Sequence, residues 1–255
     1  MTPPPVLLAI DIGNTRTKAG RYEAGHLVAV WHLDTSRLSE ELGEALAEVA
    51  PGTRLQIGWI NVSGSVDLAA LPVWTRFEVP PVWVEIHAFS PMPVRNAYQT
   101  PHTLGTDRIV AVVGACVQAP GQAVLVIDAG TALTYDVADA TGTYLGGAIS
   151  PGLMMRFRAL HQFTARLPEV SPVADPPLIG DSTVSCIQAG VVGGIRAEVE
   201  AMIRQYQTWA DGRLTVFLTG GDAQHFENHL KNINFADANL VLHGIHAILT
   251  RYYPL

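Results

Sequence analysis

Two cysteines, Cys116 and Cys186, are too few to staple a fold of 255 residues. Far apart and set among small or apolar neighbours, they suit buried free thiols better than a redox pair or a metal site. Lysine is nearly missing as well. Lys18 and Lys231 are the only two among 16 basic residues, and the arginines stand singly, so the clustered positive charge of a nucleic-acid surface is lacking. With 23 acidic residues the net charge is -7, and only 15% of residues are charged against 48% apolar, which excludes a disordered chain. No apolar run is long: Ile109 to Val117 is about half of the ~20 residues that span a bilayer. The opening Met-Thr-Pro-Pro-Pro has no basic segment and its apolar run stops at Asp11, unlike a secretory signal, so a cytoplasmic protein is expected. GxxxxGK[ST], a GxGxxG after a strand, HExxH and Cys-His clusters are all missing, which argues against a P-loop, a Rossmann site and a dedicated zinc site.

The length corresponds to about 1.7 typical domains. Val6 to Ile12 is a buried strand running into a turn, and Thr17 to Glu23 and Leu27 to His32 follow at hairpin spacing. Ser39 to Val49 puts Leu42, Leu46 and Val49 on one helical face, and Arg54 to Val62 is the next strand, an α/β pattern. Six prolines between Pro72 and Pro101 predict irregular chain with one short strand near Val82 to Ile86. A helix over Gly105 to Val117, with Thr106 at its N-cap, leads to a second strand, Val124 to Asp128, and a second meander through Tyr135 and Tyr144. Further on, Met154 to Leu167, Ser182 to Trp209 (interrupted at Gly190 and Gly193-Gly194) and Asp222 to Leu230 are expected to be helical. Leu214 to Leu218 and Leu240 to Leu242 are expected to be strands, and Ile245 to Tyr252 a closing helix.

The two meanders align at a fixed offset of 117: Leu8 to Thr17 and Leu125 to Thr134 share Ile, Asp, Gly and Thr at the same places. Asp, Gly and Thr are not supplied by chance similarity of apolar strands, so the halves are read as duplicated, residues 1–118 and 119–255.

Several segments could carry chemistry. Asp11-Ile12-Gly13-Asn14-Thr15-Arg16-Thr17-Lys18 offers backbone and hydroxyl donors, a cation, and a carboxylate to hold a metal or its waters, the parts a phosphate site needs; it is also good hairpin chemistry. The second turn, Asp128 to Thr131, makes the pair more specific than either member. Asp107 is either a dipole-stabilised residue of a first helical turn or a base for an attacking hydroxyl, and Arg108 offers a fork for a carboxylate. Gly146 to Gly152 and Gly220-Gly221-Asp222 are strand-to-helix bends, either topological or close approaches to a ligand or a partner subunit.

In their order along the chain, DIGNTRTK at 11–18, Tyr98 before LGTDR at 104–108, IDAGTALT at 127–134, GGAISPG at 146–152, ALHQFTARLP at 159–168, GDSTVSCIQAGVVGG at 180–194 and FLTGGDA at 217–223 resemble the type III pantothenate kinases. The resemblance implies an α/β fold of two duplicated ribonuclease H-like (actin-like ATPase) halves with ATP in a cleft between them. It implies ATP-dependent phosphorylation of pantothenate, the first step toward coenzyme A. It makes Asp11, Ile12, Gly13, Asn14, Thr15, Arg16, Thr17, Lys18 and Thr131 ATP contacts, with Asp11 organising Mg2+. It makes Asp128 the ligand of a monovalent cation, K+ or NH4+, and Asp107 the general base. Tyr98, Gly105, Thr106, Asp107, Arg108 and Thr183 would line the pantothenate site, and the protein would be a homodimer with that site near the subunit interface. The rivals are a related kinase acting on another small alcohol and a non-catalytic regulator that keeps the fold.

Overall fold

The computed structural model describes residues 5–62, 64, 66–227 and 229–255. In chain order the elements are β1 (Val6–Ile12), β2 (Arg16–Glu23), β3 (His26–Asp34), α1 (Leu38–Ala45), β4 (Leu55–Asn61), β5 (Val82–Glu85), β6 (Arg95–Asn96) and α2 (Thr106–Gln118). There follow β7 (Ala123–Ala129), β8 (Ala132–Ala138), β9 (Thr143–Pro151), α3 (Leu153–Gln162), α4 (Thr183–Gln188), α5 (Gly194–Trp209), β10 (Leu214–Thr219), β11 (Phe235–Ala236) and α6 (Leu240–Tyr252). Two compact units divide the chain. Unit 1 runs to Gln118 and takes in Leu240–Leu255; unit 2 is Ala119–Asn239. Residues 240–255, read from the sequence as the end of the second half, therefore pack in unit 1.

In unit 1 the sheet order is β3-β2-β1-β4-β5, with the β1-β2-β3 meander antiparallel and β1, β4 and β5 parallel. The apolar run of β1 is buried because both faces of this central strand are covered. Val6, Leu8, Ile10 and Ile12 meet Leu38, Leu42 and Leu46 around α1, while α6 packs on the other face, against α2, β1, β2 and β4. Each fully buried Leu or Ile contributes about 1.5–3 kcal/mol. Unit 2 repeats the pattern in the order β9-β8-β7-β10-β11, again an antiparallel meander followed by parallel strands. Its core is formed by Leu125, Ile127, Val216 and Leu218 against Ile195, Val199 and Ile203 of α5. The same strand order in both units is the structural counterpart of the repeated sequence.

Several local expectations are corrected. Leu240 to Leu242 is the first turn of α6, not a strand: Leu240, Val241, Leu242 and Ile245 are all buried, and a helix covered on several sides loses the periodicity that marks an amphipathic one. Between Asp222 and Leu230 only the 3-10 turn Ala223–His225 forms, with Phe226 anchored at 1% exposure. Gly190 and Gly193-Gly194 do not break the helix. A π-turn over Ala189–Gly193 joins α4 to α5. α3 stops at Gln162, α1 at Ala45, and α2 starts at Thr106 itself. Cys186 is exposed rather than buried, because α4 turns its neighbour Ile187 inward. Among the described residues, no helix is long and apolar enough to cross a membrane.

Candidate active site

The first turn is built by the β1-β2 hairpin. Gly13 N–H donates to the Arg16 carbonyl at 3.0 Å and closes the loop. Thr35, just past β3, donates its hydroxyl to the Gly13 carbonyl at 3.0 Å, and its N–H bonds the Thr15 carbonyl at 3.1 Å. Thr17 Oγ1 lies 3.0 Å from Thr35 Oγ1. Since the single proton of Thr35 is committed to Gly13, Thr17 is the donor. The buried side chains of Ile12 and Thr17 thus hold the loop, while Asn14, Thr15 and Arg16 project from it, exposed. Asp11 pairs with Lys18 across β1-β2, and Lys18 with His32 across β2-β3. Side chains directly opposite lie on one face about 5 Å apart at Cβ, so a carboxylate, an ammonium and an imidazole form one rung at the turn. Burial first, then Lys18 and Arg16, hold the His32 pKa below the usual histidine range.

Also in unit 1, Asp107 opens α2, where the helix dipole favours a negative charge. Its Oδ1 accepts the Arg108 N–H at 2.9 Å and lies so close to Gly105 that a side chain there would collide with it. The Arg108 guanidinium lies 5.9 Å from the Tyr98 ring centre, and Tyr98 is set by its N–H bond to Asn96 Oδ1 at 2.9 Å. Tyr98, Gly105, Thr106, Asp107 and Arg108, all half-buried, are therefore close together.

The second turn is one residue shorter than the first. Gly130 N–H donates to the Ala132 carbonyl at 3.0 Å, and Asp128 pairs with Thr134, as Asp11 pairs with Lys18. The 117-residue offset holds through the first strand and the glycine and then drops by one, so Thr134 occupies the Lys18 position and Leu133 that of Thr17. The second turn brings no lysine. Instead it is ringed by backbone. Gly152 N–H donates to the Thr131 carbonyl at 3.2 Å, and Asp222 N–H to the Ala129 carbonyl at 2.8 Å. A Cβ on Gly152 would strike the carbonyls of Gly130 and Thr131; one on Gly220, whose φ is +99°, would strike Asp128 Oδ1 and the Ala129 carbonyl. Both glycines are needed for these close approaches. Burial pushes the Asp222 carboxyl up, partly offset by His225.

These donors fit hard cations. Carboxylate and carbonyl oxygens are the ligands Mg2+ and K+ take, and Mg2+ needs only one or two carboxylates when phosphates and water complete its shell. Among the described residues no group of three or more His, Cys, Asp or Glu could hold a metal alone.

Thr183 begins α4 and is exposed, on the wall of an open groove of about 1210 Å³ that also takes in Pro151, Arg156, Phe163, Cys186 and Val191. Phe163, Leu178 and Ile179 are 85%, 96% and 84% exposed. Sequence reasoning passed over Thr35, Arg156 and Glu198. Their roles come from long-range contacts, and nothing local in the sequence marks them.

The family model for type III pantothenate kinase matches residues 7–205. The type III pantothenate kinase of Bacteroides fragilis is 42% identical over 248 residues, 95% of this chain and 96% of the relative. That of Phocaeicola vulgatus is 43% identical over 246 residues, 95% and 97%. Among solved structures, a Campylobacter jejuni protein described as a Baf family transcriptional activator aligns with a TM-score of 0.60 at 21% identity, covering 97% of this chain and all of that one. A Sinorhizobium meliloti protein described as a 2-dehydro-3-deoxygalactonokinase aligns at 0.56 and 14% identity, covering 98% and 97%. The two structural likenesses speak to the fold alone, and with the repeated sheet order they bear out the α/β class of duplicated halves. On the sequence match across most of its length, this chain belongs to the type III pantothenate kinase family.

Proposed function

We propose that this chain transfers the γ-phosphoryl group of ATP to the terminal hydroxyl of pantothenate, with Asp107 as the general base. The reaction follows from family membership. The observation that carries the base is the seat of Asp107 in the first turn of α2, beside Arg108 and Tyr98. Phosphoryl transfer asks mainly for positioning and charge stabilisation. A primary alcohol is a weak acid, so a carboxylate within hydrogen-bond reach takes its proton late in the transfer. The N-terminus of α2 favours the negative charge of the Asp107 carboxylate, and Arg108 holds the pantothenate carboxylate as a fork. Tyr98, Gly105, Thr106 and Thr183 complete the pantothenate contacts.

Asp11, Gly13, Asn14, Thr15, Arg16 and Lys18 contact ATP, together with Thr131; Ile12 and Thr17 contribute through their backbone, since their side chains are buried. Asp11 holds Mg2+, which when bound neutralises phosphate charge, and Asp128 holds the monovalent cation K+ or NH4+ beside the Ala129 carbonyl. The exposed apolar side chains Phe163, Leu178 and Ile179 seat a second copy in a homodimer. The enzyme works in the cytoplasm. Asp107→Asn tests the base: ATP binding persists and kcat falls about 100- to 10,000-fold, whereas an unchanged kcat assigns the proton elsewhere.

A further inference from the structure

We propose that the Arg156–Glu198 ion pair is a positioning pair for phosphoryl transfer, holding the Ser150–Gly152 bend against the Gly130–Thr131 turn; the proposal rests on the assignment of Thr131 to ATP. Arg156, in the first turn of α3, donates Nε to the Pro151 carbonyl at 2.8 Å and Nη2 to Ser150 Oγ at 2.9 Å. The same Nη2 reaches Glu198 Oε2 on α5 at 2.6 Å, the length of a strong charge-assisted bond. Glu198 is fixed in turn. Its helix is anchored by Ile195 and Val199, each 1% exposed, and its Oε1 accepts the Tyr135 hydroxyl at 3.2 Å. Burial and the adjacent carboxylate push the Tyr135 pKa up, so it stays a donor at every working pH.

The place of this network gives it a purpose. Pro151 stands opposite Ala132 in the β8-β9 ladder, the non-hydrogen-bonded pair beside Gly152–Thr131, so its carbonyl faces away from β8 and is taken by Arg156. One residue on, Gly152 N–H meets the Thr131 carbonyl. The guanidinium grips this last carbonyl before that contact and ties it to α3 and, through Glu198, to α5. The side chains of the pair are 21% and 28% exposed, so water screens part of their attraction. Its value lies in the three groups it aligns. Arg156 also borders the groove that carries Thr183, so the same side chain touches the bend between the two candidate ligand contacts.

The test compares the full-length enzyme with Arg156→Met, Arg156→Lys, Glu198→Gln and, in parallel, Thr131→Val. Two readouts are taken: hydrogen exchange of the peptides spanning 129–134 and 149–153 without ligand, and kcat and KM for ATP and for pantothenate. Arg156→Met is expected to speed exchange in both peptides and to lower kcat/KM for ATP about 10- to 100-fold, the cost of misplacing a reacting group by about an ångström. Pantothenate KM changes less, and the melting temperature stays within a few degrees. Arg156→Lys and Glu198→Gln give intermediate losses, and they carry the test if Arg156→Met does not fold. Unchanged exchange overturns the positioning. Faster exchange with unchanged ATP kinetics overturns the role in the reaction; Thr131→Val then shows whether the turn meets ATP at all. A loss confined to pantothenate KM overturns the proposal in favour of direct substrate contact.

Discussion

Thr35 is expected to hold the first phosphate turn in shape, and its hydroxyl can be removed without changing side-chain volume much. Thr35→Val deletes the bond to the Gly13 carbonyl and strands the Thr17 hydroxyl, which is 1% exposed and loses its partner. Two lost bonds cost about 1 kcal/mol each, and an unsatisfied buried hydroxyl adds roughly 1–3 kcal/mol, of which part is already counted, so about 2–4 kcal/mol is expected. Thr17→Val removes one bond and leaves Thr35 on Gly13, for about 1 kcal/mol. The double variant loses the same bonds as Thr35→Val but strands no hydroxyl, so it is at least as stable as Thr35→Val alone. Thermal unfolding reads the series, with a drop of roughly 4–16 °C for Thr35→Val in a chain of this size. The ATP KM rises alongside, because the loop loses its brace. Equal effects of the two single changes that add in the double would refute the coupling.

Gly220→Ala places a methyl on Asp128 Oδ1 and the Ala129 carbonyl at a φ of +99°; lower stability and loss of K+ activation are expected, and wild-type behaviour in both would remove the cradle. His246 stacks on Tyr22 at 4.2 Å between ring centres, and burial first, then His243, depress its pKa. The unfolded chain then binds the proton more readily, so stability is full above the ordinary value of 6.5 and falls as the pH drops through the depressed one. His246→Phe keeps the stack and flattens unfolding curves taken between pH 7 and 5; an unaltered pH dependence would assign it elsewhere. Asp222 has the opposite sign for a carboxyl. Its raised pKa means stability is lost as the pH rises above the ordinary 3.8, so Asp222→Asn raises the melting temperature at pH 7 and not at pH 3.

Much of this was legible in the sequence where burial and pattern agree. β1 and β7 are continuous apolar runs closed by Asp, and the repeated Asp-x-Gly placed both turns. α6 was half misread because Leu240-Val241-Leu242 is buried on several sides, and a run without periodicity reads as strand. The one-residue shortening of the second hairpin could not be seen. Thr17 and Thr134 align as letters, yet cross-strand pairing puts Thr134 opposite Asp128 and Leu133 opposite Ala129. The candidate site residues were legible as motifs; their braces were not. Thr35 lies 22 residues from Gly13 and Glu198 lies 42 from Arg156, and only folding brings such pairs together.

Coupled ADP release with ATP and Mg2+, with and without pantothenate, in K+ and then in Na+ alone, measures pantothenate phosphorylation itself. Turnover that requires both pantothenate and K+ is the predicted result. Slow ATP hydrolysis indifferent to pantothenate would contradict it and point to another alcohol substrate or to a regulatory protein.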